Sequence, residues 1–189
     1  YSSALGAVNA STCLYCRSGT FSSFRGAVND SVCTSCVAGS YSTASGAVDA
    51  TKCSFCGTGT FSTALGAANA STCSYCAAGT FSTATGAGSD SVCSACVAGS
   101  YSTASGASNA STCSYCAAGT FSTGTGAESD SVCSTCVAGS YSTASGANQC
   151  ELCSAGLFST VKGAASISTC TPCFAGTFSI VAGASNAST

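Results

Sequence analysis

Every cysteine of this chain belongs to a CxxC pair, and nine such pairs recur, from "CLYC" at Cys13 to "CTPC" ending at Cys173. Successive pairs stand twenty residues apart, except that Cys150 follows Cys133 after only seventeen. Cross-linking at this density constrains the fold more than any hydropathy pattern does. A unit of about twenty residues cannot bury a core of its own, so its stability has to come from bridges and from stacking on the next unit.

The rest of the sequence repeats in step with the cysteines. Taking the aromatic after Gly-Thr or Gly-Ser as the first position, units begin at Tyr1, Phe21, Tyr41, Phe61, Phe81, Tyr101, Phe121, Tyr141, Phe158 and Phe178. The unit opened by Tyr141 is three residues short. A forty-residue period overlies the shorter one: "NASTCSYCAAGTFST" at Asn69 and "SDSVCSACVAGSYSTASGA" at Ser89 recur almost unchanged from Asn109 and Ser129. Residues 1–189 thus read as one continuous tandem array. The chain opens on "YSSALGAVNASTC", without an initiator methionine or a signal peptide, and is expected to be a processed protein or a window of a longer one.

Within a unit, Gly66, Gly86 and Gly106 mark one turn that calls for positive φ, and Gly79 and Gly119, before the aromatic, mark a second. Segments such as "TFST" and "STCSYC" between them are rich in Thr, Ser and aromatics and too short for helices. They are expected to form brief strands in a hairpin-like coil, with the first-position aromatic packed on a neighbouring disulfide. No window carries apolar residues at helical spacing, so helices are not expected. The predicted fold class is small and disulfide-rich, mainly β and irregular, drawn out as a solenoid-like rod of short strands and turns.

Three pairings fit the cysteine spacing. The second Cys of each pair can join the first Cys of the next; neighbouring pairs can interlock; or each CxxC can close on itself. Nine pairs leave one CxxC unmatched in the interlocked scheme, and self-closed rings suit redox sites at helix N-termini, which this chain lacks. The first scheme makes eight bridges: Cys16 with Cys33, Cys36 with Cys53, Cys56 with Cys73, Cys76 with Cys93, Cys96 with Cys113, Cys116 with Cys133, Cys136 with Cys150, and Cys153 with Cys170. It leaves Cys13 and Cys173 unpaired within the window. Zinc is the chemical rival, because C-x2-C-x16-C-x2-C has the spacing of a four-cysteine site, but each internal pair has two equivalent neighbours and no natural partner.

The pattern "CxxCxxGTFSxxxGAxxxSxCxxCxAGSYS" resembles the ephrin-receptor-like cysteine-rich repeat, and it is similar to the first half of a tumour necrosis factor receptor cysteine-rich module. The resemblance implies an extracellular repeat array in which the cysteine before Gly-x-aromatic pairs with the next along the chain, Cys16 with Cys33 and its equivalents. This chain is more regular than those receptors and lacks their charged, variable loops. It therefore looks more like surface-coat and flagellar-hair proteins of protists and algae.

Charged residues make up only 5% of the chain, against about 25% in an average soluble domain. Hydroxyls, glycans or burial in an assembly have to compensate. The net charge of −2 is too thinly spread for a phosphate-binding stripe, so no nucleic acid partner is expected. No apolar run reaches the roughly 18 residues that span a membrane. Eighteen cysteines indicate an oxidising compartment, and the sequons at Asn9, Asn29, Asn69, Asn109 and Asn186 are N-glycosylation acceptors there. The expected localisation is extracellular, secreted or at the cell surface.

Enzyme chemistry lacks an inventory: there is no histidine, and the carboxylates Asp30, Asp49, Asp90, Glu128, Asp130 and Glu151 are scattered. Asp30, Asp90 and Asp130 are expected to cap turns. The first-position aromatics are expected to form a packing spine, while Tyr15, Phe55, Tyr75 and Tyr115, inside CxxC pairs, are expected to point outward toward a partner or glycan. The chain is expected to be a structural extracellular protein, a glycosylated rod in a filament, flagellar hair or coat made with copies of itself. No cofactor is expected beyond covalent N-glycans and possible O-glycans on Ser and Thr. The alternatives are a ligand-binding or adhesion ectodomain or stalk, a zinc-ribbon array, and an ice- or crystal-binding Thr/Ser face.

Overall fold

The computed structural model describes residues 10–187. Among them, regular structure comes in very short pieces: eight pairs of two-residue antiparallel strands and eight three-residue 3-10 turns, with no α-helix. Each strand pair joins the residues at the Gly-x-aromatic turn to those inside the following CxxC. Thr20–Phe21 pairs with Thr34–Ser35, Thr60–Phe61 with Ser74–Tyr75, and Leu157–Phe158 with Thr171–Pro172. The strand segments expected from composition are present in shortened form, as Thr60–Phe61 in "TFST" and Ser74–Tyr75 in "STCSYC"; the first two residues of the latter, Ser71 and Thr72, belong to a 3-10 turn instead.

The 3-10 turns lie just before the first cysteine of every pair except the one that begins at Cys150, as at Asp30–Val32, Ala70–Thr72 and Asp130–Val132. They were not expected from helical periodicity, which three residues cannot display. Their sequence signal is the capping residue before them: Asn29, Asp49, Asn69 and Ser166 each accept the amide hydrogen of the residue two places on. The expectation that Asp30, Asp90 and Asp130 cap is corrected by this geometry. Each of them opens its turn, and the capping position is the residue before, Asn29, Ser89 or Ser129.

Contacts divide the chain into two compact units that interleave along the sequence. Among the described residues, the first holds those up to Ala77 with Ser82–Cys93 and Gly106–Asn109; the second holds Ala78–Phe81, Ser94–Ser105 and those from Ala110 onward. The same backbone pattern builds each. In the first unit, the Gly59 amide donates to Ser82 O (2.8 Å), the Ser62 amide to Ala87 O (2.9 Å), the Cys76 amide to Gly59 O (2.9 Å) and the Gly86 amide to Cys56 O (2.8 Å). In the second, the Gly99, Ser102, Cys116 and Gly126 amides donate to Ser122, Ala127, Gly99 and Cys96 in the same way, at 2.8–2.9 Å. These bonds link successive repeats backbone to backbone, where a globular domain of this size would rely on an apolar core.

What core exists is made of small residues. Cys36, Cys56, Cys76, Cys96, Cys116, Cys136 and Cys153 are at most 1% exposed, and they are joined in the interior by Ala47, Ala67, Ala87, Ala107 and Ala164. The serine after each first-position aromatic is buried too, from Ser42 to Ser179, and no buried side-chain nitrogen or oxygen among the described residues lacks a hydrogen-bond partner. Small residues allow the backbones to approach closely. A Cβ on Gly59 would stand 2.1 Å from Gly106 O, and one on Gly99 would stand 2.1 Å from Gly146 O. Each such glycine, itself at positive φ, meets a second positive-φ glycine two repeats further along.

The short unit opened by Tyr141 shows which parts are dispensable. Its missing residues are those of the 3-10 turn, while the strand pair Ser140–Tyr141 with Glu151–Leu152 remains. The Tyr141 ring packs with Cys153, Ala164, Cys170 and Leu157, an aromatic set on a disulfide.

Candidate functional site

Among the described residues the chemistry recurs with the repeats, one row of like residues for each feature. The first row is the disulfide ladder. Cys16–Cys33, Cys36–Cys53, Cys56–Cys73 and Cys76–Cys93 lie in the first unit, and Cys96–Cys113, Cys116–Cys133, Cys136–Cys150 and Cys153–Cys170 in the second. Their Cα–Cα distances span 5.6–5.8 Å, within the range an unstrained bridge needs. Cys13, exposed, and Cys173, half-buried, carry free thiols. Bridged sulfurs are not thiolates, and among the described residues no three His, Cys, Asp or Glu side chains converge as metal ligands would.

The second row is the asparagines. Asn29 and Asn69 are exposed, and in each the side-chain oxygen accepts both the amide hydrogen and the hydroxyl of the serine two residues on, Ser31 and Ser71. The capping oxygen and the serine of the sequon are thus one hydrogen-bonded unit, and the amide nitrogen that would carry a glycan takes no part in the cap. Asn109 is exposed, with its Nδ2 3.3 Å from Ser108 Oγ; Asn186 is exposed, and Asn9 lies outside the described residues.

In the third unit Asp49 replaces the capping asparagine. Hydrogen bonds from the Thr51 hydroxyl and the Thr51 amide hold its carboxyl below its ordinary value, with the charge of Lys52 adding and slight desolvation opposing. The other perturbed group is Tyr141. Its hydrogen bond to Glu151, its burial and the Glu151 charge all push its phenol above the ordinary value.

The third row is the side chain in the middle of each CxxC. Tyr15, Phe55, Tyr75 and Tyr115 are 63–79% exposed, so the outward direction expected from sequence holds for one face of each ring. The other face has a partner that the sequence reading missed. Each ring lies against a positive-φ glycine thirty-one residues on: Tyr15 on Gly46, Phe55 on Gly86, Tyr75 on Gly106 and Tyr115 on Gly146, so close that a Cβ there would fall 2.4–2.6 Å from the ring. Ser35, Ala95 and Thr135 take the same place over Gly66, Gly126 and Gly163 in alternate repeats. The rings are covers for exposed glycine backbone before they are contacts for anything else.

Cavities lie in the first unit beside these rows, two of them of contrasting character. One, about 430 Å³, is an apolar groove lined by Phe21, Val37, Phe55 and the Cys36–Cys53 bridge; the other, about 220 Å³, is polar, with Arg17 and Asp30 on its wall. All six carboxylates of the chain are exposed.

A ladder of bridges between short, backbone-bonded repeats defines the chain as a disulfide-stapled tandem-repeat protein. Residues 124–170 match the family model described as tyrosine-protein kinase ephrin type A/B receptor-like, so this stretch is similar to an ephrin-receptor-like cysteine-rich repeat. It contains the Cys136–Cys150 and Cys153–Cys170 bridges and the short unit. No curated protein matches the chain. The disulfides and this family point to the outside of the cell or its surface, and no helix among the described residues is long and apolar enough to cross a membrane.

Proposed function

We propose that this chain is a structural extracellular repeat protein, a disulfide-laddered and N-glycosylated segment of a filament, flagellar hair or surface coat, assembled with further copies of itself. The observation that carries the reading is where the invariant residues go. In the seven units from Tyr41 to Thr177, the Ser, Gly, Ala and Cys positions that never vary serve to join repeat to repeat, the Cys173 thiol and Gly176 apart. None converges with others into a pocket of reactive groups. On this reading the protein has no catalytic role and no cofactor beyond its covalent glycans at Asn9, Asn29, Asn69, Asn109 and Asn186.

Electron microscopy of native material, beside a non-reducing peptide map, tests it. Filaments or a coat lattice, with sugar on the asparagines, are the expected outcome; a monodisperse monomer would overturn the assembly claim. The second reading is the ligand-binding or adhesion ectodomain of a surface receptor, favoured by the match at residues 124–170 and by the apolar groove at Phe21, Val37 and Phe55. That reading requires a membrane-spanning or globular segment encoded in the same gene. A zinc-ribbon array would instead yield free thiols in the peptide map.

A further inference from the structure

Seven positions are identical in every unit from Tyr41 to Thr177: the two cysteines, the two turn glycines, the Ser after the aromatic, the Thr after that Ser, and the Ala after the first turn glycine. Six of the seven have a task in the fold. The cysteines are bridged save for Cys173, both glycines hold positive φ, the alanine carbonyl receives an inter-repeat hydrogen bond, and the serine is buried in all its copies. The serine hydroxyl also accepts the amide hydrogen two residues on, as from Ala64 to Ser62 (3.3 Å) and from Ala104 to Ser102 (3.3 Å). This bond makes a small turn whose middle residue is the threonine.

The threonine has no such task. Thr43, Thr63, Thr83, Thr103, Thr123, Thr143 and Thr160 are all exposed, and none of their hydroxyls hydrogen-bonds to the protein. Extended backbone alone does not call for them, since Val or Ile would suit it as well; Ser23, in the unit before, keeps the hydroxyl without the methyl, and the unit after has an exposed Ile180 in its place. A hydroxyl retained seven times, aimed at solvent and unused by the fold, is retained for something outside it.

The surface has a matching need. Charge is scarce, yet Val37, Phe55, Tyr75, Val97, Tyr115 and Val137 are 61–70% exposed. We infer that these seven threonines are O-glycosylated, a modification row separate from the asparagine sequons and resting on the extracellular reading above. In each transfer the threonine Oγ1 bonds to C1 of a sugar supplied as a nucleotide sugar, and the bond from C1 to the phosphate oxygen breaks. The nucleoside diphosphate leaves with the electron pair, and the hydroxyl proton passes to a base of the transferase. Small neighbours such as Ala44, Ala84 and Gly124 leave the site open to that enzyme.

The test is site-resolved mass spectrometry of native full-length protein under non-reducing conditions, so that glycans and bridges are read from one digest. Sugar mass on these threonines, with the eight bridges intact, is the expected result. Intact bridges with bare threonines, or with sugar on other hydroxyls instead, would overturn the O-glycan row while leaving the extracellular reading standing. Free thiols with bare threonines would overturn both. In the secreted full chain Thr83→Val should remove one glycan mass and Thr83→Ser should retain it; a Thr83→Val chain of unchanged mass would count against the assignment.

Discussion

Gly26 and Gly59 share a backbone torsion, φ +73, but differ in what a side chain would meet: open space at Gly26, and the Gly106 carbonyl oxygen at 2.1 Å at Gly59. Gly26→Ala should therefore cost only the left-handed backbone strain, about 1–2 kcal/mol. Gly59→Ala adds overpacking against backbone that cannot turn aside, about 1–3 kcal/mol more. Amide hydrogen exchange checks this, with the Gly59 amide losing protection in its own variant and keeping it in Gly26→Ala. Asp49 gives a second expectation at this scale. Because its folded pKa is lowered, its cap is complete above the ordinary carboxylate range and is lost as pH falls through the lowered value. The Thr51 amide resonance should shift on acidification, while the Ser31 and Ser71 amides, capped by Asn29 and Asn69, should not follow a carboxylate titration. Asp49→Asn should keep the cap, abolish that acid response and, as Asn-Ala-Thr, gain a glycan in a secretory host. Tyr141 runs the opposite way. Its raised pKa leaves its contribution intact below the ordinary phenol value and removes it as pH rises through the higher folded one, so in alkaline titration it should ionise after an ordinary tyrosine.

The 3-10 turn is the one element the array has already shown to be removable. In the unit opened by Tyr141 it is absent, yet the Cys136–Cys150 bridge keeps a Cα–Cα distance of 5.8 Å and the strands stay paired. Deleting residues 70–72 from the neighbouring pattern should likewise leave the Cys56–Cys73 bridge and the Thr60–Phe61 strand pairing in place. A non-reducing peptide map of the deletion variant is the check, with scrambled bridges as the contrary result. These turns were not legible from periodicity because three residues hold no period, although their caps were in plain view as Asn, Asp and Ser two places before a hydroxyl residue. The strands were legible from composition, since Thr, Ser and aromatics flank each turn glycine.

For the whole molecule, each bridge closes a loop of about 15 residues and stabilises by roughly 3 kcal/mol in the chain-entropy model. Replacing Cys56 and Cys73 together by serine should lower stability by about that amount, read as a fall in the denaturation midpoint. The loss should be felt most in the backbone bonds of Gly59 and Cys76, which the bridge flanks. Full reduction should unfold the array, because small residues supply little apolar burial to replace eight bridges. The spacing of the cysteines left three pairings open. What separates them is the Cα–Cα distance between partners seventeen residues apart, a quantity set by the path of the chain. By itself the sequence determined the period, the places where the backbone must turn through positive φ, and the density of cross-links, because those depend on residue type and local interval. Only the tertiary structure decided that Gly59 meets Gly106 and that Phe55 covers Gly86, because contacts forty-seven and thirty-one residues apart follow from how repeats stack, and local propensity does not encode them.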